Sequence, residues 1–238
     1  MQRVDAPEIL DSDECSANDA QAVLGVLNRI NRWFGGVATT QRMVERVATA
    51  RALEHLSLLE VAAGSGEVPE LARQSLALRG IALDVTVLDR AKSHLAVRKA
   101  AIEHPARQRR RVVADALALP FDDAAFDLVS CGLFAHHLDA RQLAAFVREG
   151  WRVCRQALLI NDLIRHPLHL ALVYASFPLM NNRIAWLDGL ASVRRSYIPD
   201  EIRDIVCSAF PGRAPQIEIS RNYLFRMGLI LWKTQNSG

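Results

Sequence analysis

The sequence is poor in cysteine, in net charge and in long apolar runs, and each shortage argues against a class of protein. Its cysteines are Cys15, Cys131, Cys154 and Cys207, and no two of them form a CxxC pair, so neither a disulfide framework nor a zinc site is expected. We recognise no signal peptide and expect a reducing, cytoplasmic compartment. The net charge of +3 is too small to indicate binding to nucleic acid or to a membrane surface. The longest uncharged run, 167–182, is interrupted by Pro178 and falls short of the ~20 apolar residues of a membrane span.

Hydrophobic residues, in contrast, make up 50% of the 238 positions, which is enough for one large α/β domain. Short apolar runs typical of strands alternate with segments of helical spacing. The strand candidates are Leu56–Ala62, Leu83–Leu88, Arg111–Ala114, Phe126–Cys131 and Ala157–Asn161, and the helices between them are Val68–Arg79, Ala91–Glu103 and Ala140–Val153. Such alternation predicts βαβ units with right-handed crossovers and a parallel sheet.

Both ends of the chain depart from this alternation. The outer elements are helices Asn18–Ile30 and Thr39–Leu53, then a mixed apolar segment after Asp162, helix Pro199–Phe210, and strands Gln216–Ser220 and Tyr223–Trp232. The two closing strands form a hairpin, so we expect the last strand of the sheet to be antiparallel.

The first strand ends in an acid and a glycine-containing turn. Residues 58–66 read Leu-Leu-Glu-Val-Ala-Ala-Gly-Ser-Gly. The glycines at 64 and 66 let a ligand approach bare backbone at a helix N-terminus. Glu60 would repel a nucleotide phosphate but would hold an ammonium group. The turn therefore points away from dinucleotides and towards S-adenosylmethionine, whose amino-acid end is zwitterionic and whose sulfonium is positive.

Three further strand ends carry residues suited to the same ligand, and doubly wound sheets bind ligands at the carboxyl ends of their strands. Asp89 ends the second strand and can accept hydrogen bonds from both ribose hydroxyls. After the third strand, the carboxylate of Asp115 can accept from an adenine amino group, and the N–H of Ala116 can reach a ring nitrogen. At Cys131-Gly132 the chain must pass close to the ligand. Each signal alone is weak, but the four occur in order.

In this order the motifs resemble those of the class I S-adenosylmethionine-dependent methyltransferases, in their small-molecule branch. Residues 60–66 match the E/D-x-G-x-G-x-G motif, and residues 115–121 and 126–129 match the third and fourth motifs. The resemblance covers residues 56–162 and implies an α/β fold: a doubly wound, Rossmann-like sheet of seven mostly parallel strands with an antiparallel last strand. It also implies S-adenosylmethionine as cofactor and S-adenosylhomocysteine as product. The implied cofactor residues are Glu60, Ala62, Gly64, Gly66, Asp89, Arg90, Asp115, Ala116 and Cys131. Ala62 replaces the first glycine, a mild departure if this position needs only negative φ.

We expect residues 1–238 to form one domain, divided into a helical cap (18–53), a cofactor-binding core (56–162), an insertion (163–198), and a closing helix and hairpin (199–238). In this family the insertion commonly covers the acceptor, and the apolar stretch 168–180 suits a hydrophobic one. The expected reaction is methyl transfer to a small hydrophobic or aromatic metabolite, with O-methylation favoured. A cofactor-binding protein without catalysis is an alternative. RNA methylation is less favoured, because no Asn-Pro-Pro-Tyr-like tetrad follows the fourth strand. We expect a small-molecule acceptor, no nucleic acid and no membrane span; a homodimer stays open.

His136 and His137 follow the fourth strand, beside the expected methyl group, and are the catalytic candidates. Methyl transfer to oxygen or nitrogen needs a deprotonated nucleophile, and histidine, with an ordinary pKa of ~6.5, is a competent base. The alternative is a structural pair at a helix start. His166 and His169 have i, i+3 spacing, but no cysteine or acid nearby completes a ligand set, so no metal site is expected.

Three other segments allow two interpretations each. The run Arg107–Arg111 could bind RNA phosphates, but it lacks interleaved aromatic residues and is better explained as a solvated loop. Residues 194–197 could line the acceptor pocket or form a surface loop. The corner at residues 31–36 could fold over the cofactor, or could only break the helix with Trp33 and Phe34 packed inward.

Overall fold

A twisted sheet of seven strands lies at the centre of the protein in a computed structural model, which describes residues 1–9, 17–92, 95, 110–180, 182–212 and 214–234. The strands are β1 (His55–Val61), β2 (Ala82–Asp89), β3 (Arg110–Val113), β4 (Phe126–Gly132), β5 (Cys154–Leu163), β6 (Gln216–Asn222) and β7 (Arg226–Trp232), in the order β3-β2-β1-β4-β5-β7-β6. Strands β1 to β5 pair in parallel, and β7 is antiparallel to both β5 and β6. The expected α/β sheet with an antiparallel last strand is confirmed.

Helices pack on both faces of this sheet. The α-helices of the described residues are α1 (Ala17–Trp33), α2 (Gly36–Arg51), α3 (Glu67–Ala77), α4 (Ala140–Val153), α5 (Pro167–Ala175), α6 (Phe177–Met180), α7 (Arg183–Arg195) and α8 (Pro199–Ser208). Among the residues that the structure describes, no helix combines the length and apolarity needed to cross a membrane. Most of the predicted helix Ala91–Glu103 lies outside the described residues.

The apolar strands explain why the sheet is covered on both sides. Side chains alternate between the faces along a strand, so Leu58 packs with α2 and α3 while Leu59 packs with α4 and α8. Both leucines are fully buried. A parallel sheet buried on two faces needs such continuous apolar runs, which is the pattern that the sequence shows.

The segment after β5 is more structured than the sequence indicates. Where only a mixed apolar stretch was predicted, α5, α6 and α7 form a layer over the carboxyl edge of the sheet. Asn182 begins α7 because its side chain accepts a hydrogen bond from the N–H of Ala185 at 2.9 Å. The apolar spacing of α5 is not that of one buried face, since none of its side chains is buried.

The corner between α1 and α2 has its aromatic residues on the outside, so the expectation of inward packing is wrong. Trp33 is 70% exposed and Phe34 is 51% exposed. Asn31 occupies the inner position instead, and its Oδ1 would lie only 2.2 Å from a Cβ at Gly36. Gly35 turns the chain at a φ of 78°.

Candidate active site

The turn after β1 holds three residues in the left-handed region, and one of them is not glycine. The φ angles are 53° at Ala62, 54° at Gly64 and 70° at Gly66. The expectation that Ala62 needs only negative φ is therefore wrong. Its Cβ is crowded in this conformation, at a cost of roughly 1–2 kcal/mol. The N–H of Ala63 donates to the carbonyl of Leu88 at 3.0 Å, which ties the turn to β2 and imposes this shape.

Glu60 is a buried acid at the end of β1. Its side chain lines the cavity described below, yet only 3% of the residue is exposed. Burial raises the pKa of Glu60 to about 7, although the hydroxyl of Ser130, which donates to its Oε2, acts in the opposite direction. Among the described residues no cationic side chain pairs with it. The wall therefore offers an anionic position for a cationic ligand group.

Asp89 joins the end of β2 to the glycine-containing turn. Its Oδ2 accepts from the N–H of Gly64 at 2.8 Å, and its Oδ1 accepts from the N–H of Ala91 at 2.9 Å. A carboxylate oxygen can accept more than one hydrogen bond, so these two backbone bonds do not preclude bonds from ligand hydroxyls. Arg90, the next residue, is exposed at the rim of the same cavity.

The turn after β3 brings Asp115 and Ala116 to the same wall. Asp115 is exposed, and its Oδ1 accepts from the N–H of Leu117 at 2.9 Å. This bond fixes the carboxylate at the cavity rim. Ala116 is 9% exposed and packs into the core behind it.

These strand ends open into a cavity of about 910 Å³, at the upper end of the usual range for small-molecule sites. The strand ends contribute Glu60, Ala62, Gly64, Asp89, Arg90, Asp115, Ala116 and Gly132; the turn after β4 contributes Phe134, His136 and His137; the helices above contribute His169, Val173, Met180, Ala185, Gly189 and Ser192. The cavity thus unites a polar floor with a mainly apolar roof.

His136 lies between two buried carboxylates. Its Nδ1 is 2.7 Å from Asp162 Oδ1, and its Nε2 is 3.2 Å from Glu8 Oε1. Burial disfavours the imidazolium, but Asp162 and Glu8 outweigh burial and raise the pKa of His136 to about 10. The ring is therefore charged at neutral pH, and both of its nitrogens donate to carboxylates.

His137 is more accessible than its neighbour. Its side chain is 19% exposed, and its Nε2 is 3.6 Å from Glu8 Oε2. Glu8 also accepts from the hydroxyl of Ser192 at 2.6 Å, so α7 holds this acid in place. Glu8, His136 and His137 each offer one potential metal-ligating atom, and these three atoms lie within 4.8 Å of one another, a spacing that a metal ion could bridge. The cluster does not need a metal ion, because the charged ring of His136 already pairs with the carboxylate of Glu8.

Comparison with known proteins extends these observations. Residues 59–158 match a family model described as a methyltransferase domain. None of the curated proteins matches the chain. Among solved structures, the chain is similar to the plantazolicin methyltransferase BpumL in complex with S-adenosylhomocysteine, with a TM-score of 0.69 at 10% identity over 94% of this chain and 93% of that one.

Two further structures give the same picture. An O-methyltransferase family 2 protein from Planctomyces limnophilus, in complex with apigenin, has a TM-score of 0.63 at 18% identity over 93% of this chain and 63% of that one. A SAM-dependent methyltransferase from Aquifex aeolicus has a TM-score of 0.53 at 14% identity over 79% of this chain and 88% of that one. At these identities the structures show the fold, while the family model matches the sequence of the domain itself.

Residues 59–158 carry a methyltransferase domain, and the chain has the fold of S-adenosylmethionine-dependent methyltransferases.

In this methyltransferase most of the predicted cofactor residues meet at one wall, and two lie elsewhere. Gly66 is the N-cap of α3 and is not part of the cavity lining. Cys131 is 1% exposed within the sheet, whereas the next residue, Gly132, reaches the cavity. A Cβ at Gly132 would lie 3.5 Å from Glu60 Oε1, so the chain passes close to the acid.

The residues near 195 support the methyltransferase's histidine turn rather than the pocket. Arg195 donates to the carbonyl of His137 at 2.8 Å, and the hydroxyl of Tyr197 donates to the carbonyl of Leu138 at 2.7 Å. Both side chains are buried. Arg194 instead donates to the hydroxyl of Tyr174 at 2.8 Å. Residues 194–197 therefore neither line the acceptor pocket nor form a plain surface loop, the two interpretations that the sequence allowed.

The remaining two segments also have assigned places. His166 caps α5 by accepting from the N–H of Leu168 at 3.1 Å, and both His166 and His169 stack on Phe225. Of the arginine run, only Arg110 and Arg111 lie within the described residues, where they begin the edge strand β3.

Sequence reasoning missed the buried polar groups that complete the site. Arg226, 2% exposed, donates to the Oδ1 of Asn161 at 3.0 Å and to the Oδ1 of Asn31 at 3.2 Å, which ties the α1–α2 corner to β5. Glu8 comes from the N-terminal segment, outside the residues 56–162 that the sequence motifs cover. An acid nine residues before a helix carries no local signal of such a role.

Proposed function

We propose that the methyltransferase transfers a methyl group to a small, mainly apolar acceptor that carries a hydroxyl group. The observation that carries this proposal is the shape of the cavity, in which the strand-end residues expected to hold the cofactor share one space with an apolar roof. A volume of about 910 Å³ leaves room for an acceptor beside a cofactor. Bound S-adenosylmethionine supplies an electrophilic methyl group on a positively charged sulfur.

The chain's own residues fit the cofactor by charge. Glu60 would hold the ammonium group, Asp89 the ribose hydroxyls, and Asp115 with Ala116 the adenine edge. Glu60 supports this assignment best, because it is a buried carboxylate that needs a cation. Holding the reactants in line is the main task left to the protein, and orientation of this kind can contribute ~7–11 kcal/mol.

The roof favours an apolar acceptor. Val173, Met180 and Ala185 line it. An acceptor with several charges would leave them without partners against this wall, at a cost of several kcal/mol. A phenol or another hydrophobic alcohol would not. One structural neighbour is described in complex with apigenin, which is consistent with this acceptor class.

Of the two histidines proposed as catalytic, His137 is better placed to act as the base. His136 already carries a proton and has both ring nitrogens bonded to carboxylates. His137 faces the cavity beside Glu8, whose carboxylate would stabilise the imidazolium formed when His137 takes the acceptor's proton. His136 then acts as a fixed cation that keeps Glu8 ionised and in position.

Two other functions make different demands on the site. A cofactor-binding protein without catalysis needs no acceptor space, so the roofed cavity argues against it. An RNA methyltransferase needs a positively charged surface that leads into the site. Of the arginine run, the described residues Arg110 and Arg111 lie on the edge strand β3, which does not favour this function. The first alternative predicts cofactor binding with no methylated product from any acceptor.

The test is a methylation screen with S-adenosylmethionine and matched sets of hydrophobic phenols, alcohols and amines, read as S-adenosylhomocysteine formed. We expect phenols or alcohols to be methylated. On the best acceptor, His137→Gln should lower kcat by about 10²–10⁴-fold while the affinity for S-adenosylhomocysteine stays unchanged. His55→Gln, at the far end of β1, is the matched control. Full turnover by His137→Gln would refute the base role, and turnover of RNA alone would refute the acceptor class.

A further inference from the structure

We propose that the protein docks peripherally on an anionic lipid surface through an exposed apolar face beside its cavity. This docking face consists of exposed side chains on the α1–α2 corner, the β6–β7 turn and helices α5 and α6: Trp33, Phe34, Leu168, Leu172, Phe177, Tyr223 and Leu224. The inference goes beyond methyl transfer and does not depend on it, because surface binding can be measured without an acceptor.

Direct contacts connect the parts of the docking face. The rings of Phe34 and Tyr223 meet edge to face with centroids 6.1 Å apart. Phe225 follows in the same turn and is stacked by His166 at 5.1 Å and by His169 at 4.9 Å, both at the start of α5. The corner, the turn and the helix therefore form one surface.

The exposure of this surface is unusual for side chains of this size. Trp33 is 70% exposed and Leu224 is 71% exposed. Helix α5 reads Pro-Leu-His-Leu-Ala-Leu-Val-Tyr-Ala and buries none of its side chains. A helix that is apolar all round is normally surrounded by apolar material, and the described part of the chain does not cover the outer side of α5. Contiguous exposed apolar area of this kind marks an interaction site.

The sequence segments that form the docking face carry arginines and no acidic residues. Residues 20–44, 163–187 and 219–238 contain no Asp or Glu, although the chain carries 26 acidic residues in all. Exposed arginines border the face at Arg42, Arg183 and Arg221. Arg42 donates to the Oδ1 of Asn222 at 3.4 Å, which places its guanidinium beside the turn. Aromatic and leucine side chains bordered by arginines fit an anionic lipid interface, where the rings enter the headgroup region and the cations meet phosphates.

A second copy of the chain fits this face less well. A two-fold interface opposes the same patch on both subunits, so arginines would meet arginines with no acid in these segments to pair with them. The lipid surface also suits the position of the face, because α5 carries Leu168 and Leu172 outside while His169 and Val173 line the cavity. A hydrophobic acceptor dissolved in a bilayer would then enter past α5.

The test uses the full chain and two kinds of vesicle, phosphatidylcholine alone and phosphatidylcholine with phosphatidylglycerol. Co-sedimentation should show binding to the anionic vesicles that weakens at high salt. The emission of Trp33 should shift to the blue on binding, and Trp33→Phe should lose that shift.

Variants distinguish vesicle binding by the docking face from nonspecific binding by any exposed apolar side chain. Trp33→Ser/Leu224→Ser should weaken binding to anionic vesicles by at least about tenfold. The control is Leu78→Ser, which removes a leucine that is 91% exposed at the C-cap of α3, on the opposite edge of the sheet. Binding of S-adenosylhomocysteine by each variant confirms that it is folded.

Charge variants complete the design. Arg42→Gln/Arg221→Gln should lose binding to anionic vesicles, whereas Arg148→Gln/Arg203→Gln, which removes two exposed charges from α4 and α8, should keep it. The proposal is overturned if the wild type binds neither kind of vesicle, or if the docking-face variants bind as tightly as the wild type does. It is also overturned if light scattering shows a dimer that Trp33→Ser/Leu224→Ser dissociates, because the face would then belong to a second copy.

Discussion

The proposed contact between the buried acid Glu60 and the cofactor's ammonium group predicts that cofactor affinity depends on pH, in a direction that follows from the structure. The free protein holds Glu60 with its pKa raised to about 7 by burial. An ammonium group bound beside the carboxylate stabilises the ionised form, so binding lowers this pKa. Affinity for S-adenosylhomocysteine must therefore rise with pH until Glu60 is ionised in the free protein as well.

The size of the effect follows from the titration. With a pKa of about 7 in the free protein, Glu60 is about one-tenth ionised at pH 6 and about nine-tenths ionised at pH 8. The dissociation constant for S-adenosylhomocysteine should thus fall about tenfold from pH 6 to pH 8, or about 1.4 kcal/mol, and level off above pH 8. At pH 7 about half a proton should be released for each ligand bound.

The assay is isothermal calorimetry at several pH values, in paired buffers of different ionisation enthalpy so that proton release is measured directly. Glu60→Gln keeps the shape of the side chain but removes the charge. We expect it to bind about 10–100-fold more weakly than the wild type at pH 8, as for the loss of one charge-assisted hydrogen bond, with no dependence on pH. 5′-Methylthioadenosine has no ammonium group, and its binding to the wild type should not change with pH.

Two results would refute this reasoning. Affinity of the wild type that is flat from pH 6 to pH 8 would mean that Glu60 does not change its ionisation on binding. A pH dependence that survives in Glu60→Gln would assign the titration to another group.

Three further perturbations test other parts of the site. Ala62→Gly should stabilise the protein by about 0.5–1 kcal/mol in urea unfolding, because relief of the left-handed strain exceeds the added chain entropy of glycine; equal stability would mean that the turn is not strained. Asp89→Ala should weaken S-adenosylhomocysteine binding about 10–100-fold in a folded protein, whereas Asp84→Ala, at an exposed position of β2, should not; equal affinities would place the ribose elsewhere. Glu8→Gln should lower the pKa of His136 below its value of about 10 in an NMR titration and cost about 1–3 kcal/mol near neutral pH.

The pH dependence of the last effect has a defined sign. The pKa of His136 is raised from 6.5 to about 10, so its pairing contributes fully below about pH 6.5 and is lost as pH rises through about 10. Burial would raise the pKa of Glu8, but the two histidines lower it below 4.5. The stability that Glu8 contributes is therefore present above about pH 4.5 and is lost as the pH falls below that value. The stability gap between wild type and Glu8→Gln should be widest between these limits and should close at both ends. A gap that stays constant above pH 10 would show that Glu8 acts by packing alone.

The sequence by itself determined the sheet and the meeting of the strand-end residues at one edge, because both rest on local signals. Each strand is a short apolar run, and Glu60, Asp89 and Asp115 stand directly at strand ends. Parallel strands bring their carboxyl ends to one edge, so residues far apart in the chain could be placed together without knowing any side-chain contact. Helix α4 was predicted with its observed bounds, and the structure shows a capping box of Asp139 and Gln142 at its start.

Only the tertiary structure decided the ionisation, backbone strain and exposure of the residues at the site, because these properties depend on contacts between distant segments. Glu8 and Asp162 reach His136 from 128 and 26 residues away, and together they turn a candidate base into a fixed cation. The shape of the turn at Ala62 is set by a hydrogen bond to Leu88 on the neighbouring strand, so a local rule for alanine gave the wrong sign of φ. The corner before α2 follows the same rule, because Asn31 packs against Gly36 and bonds to the buried Arg226, while Trp33 lies outside. Burial and pairing across the fold set ionisation, strain and exposure, and none of these is a property of a short stretch of sequence.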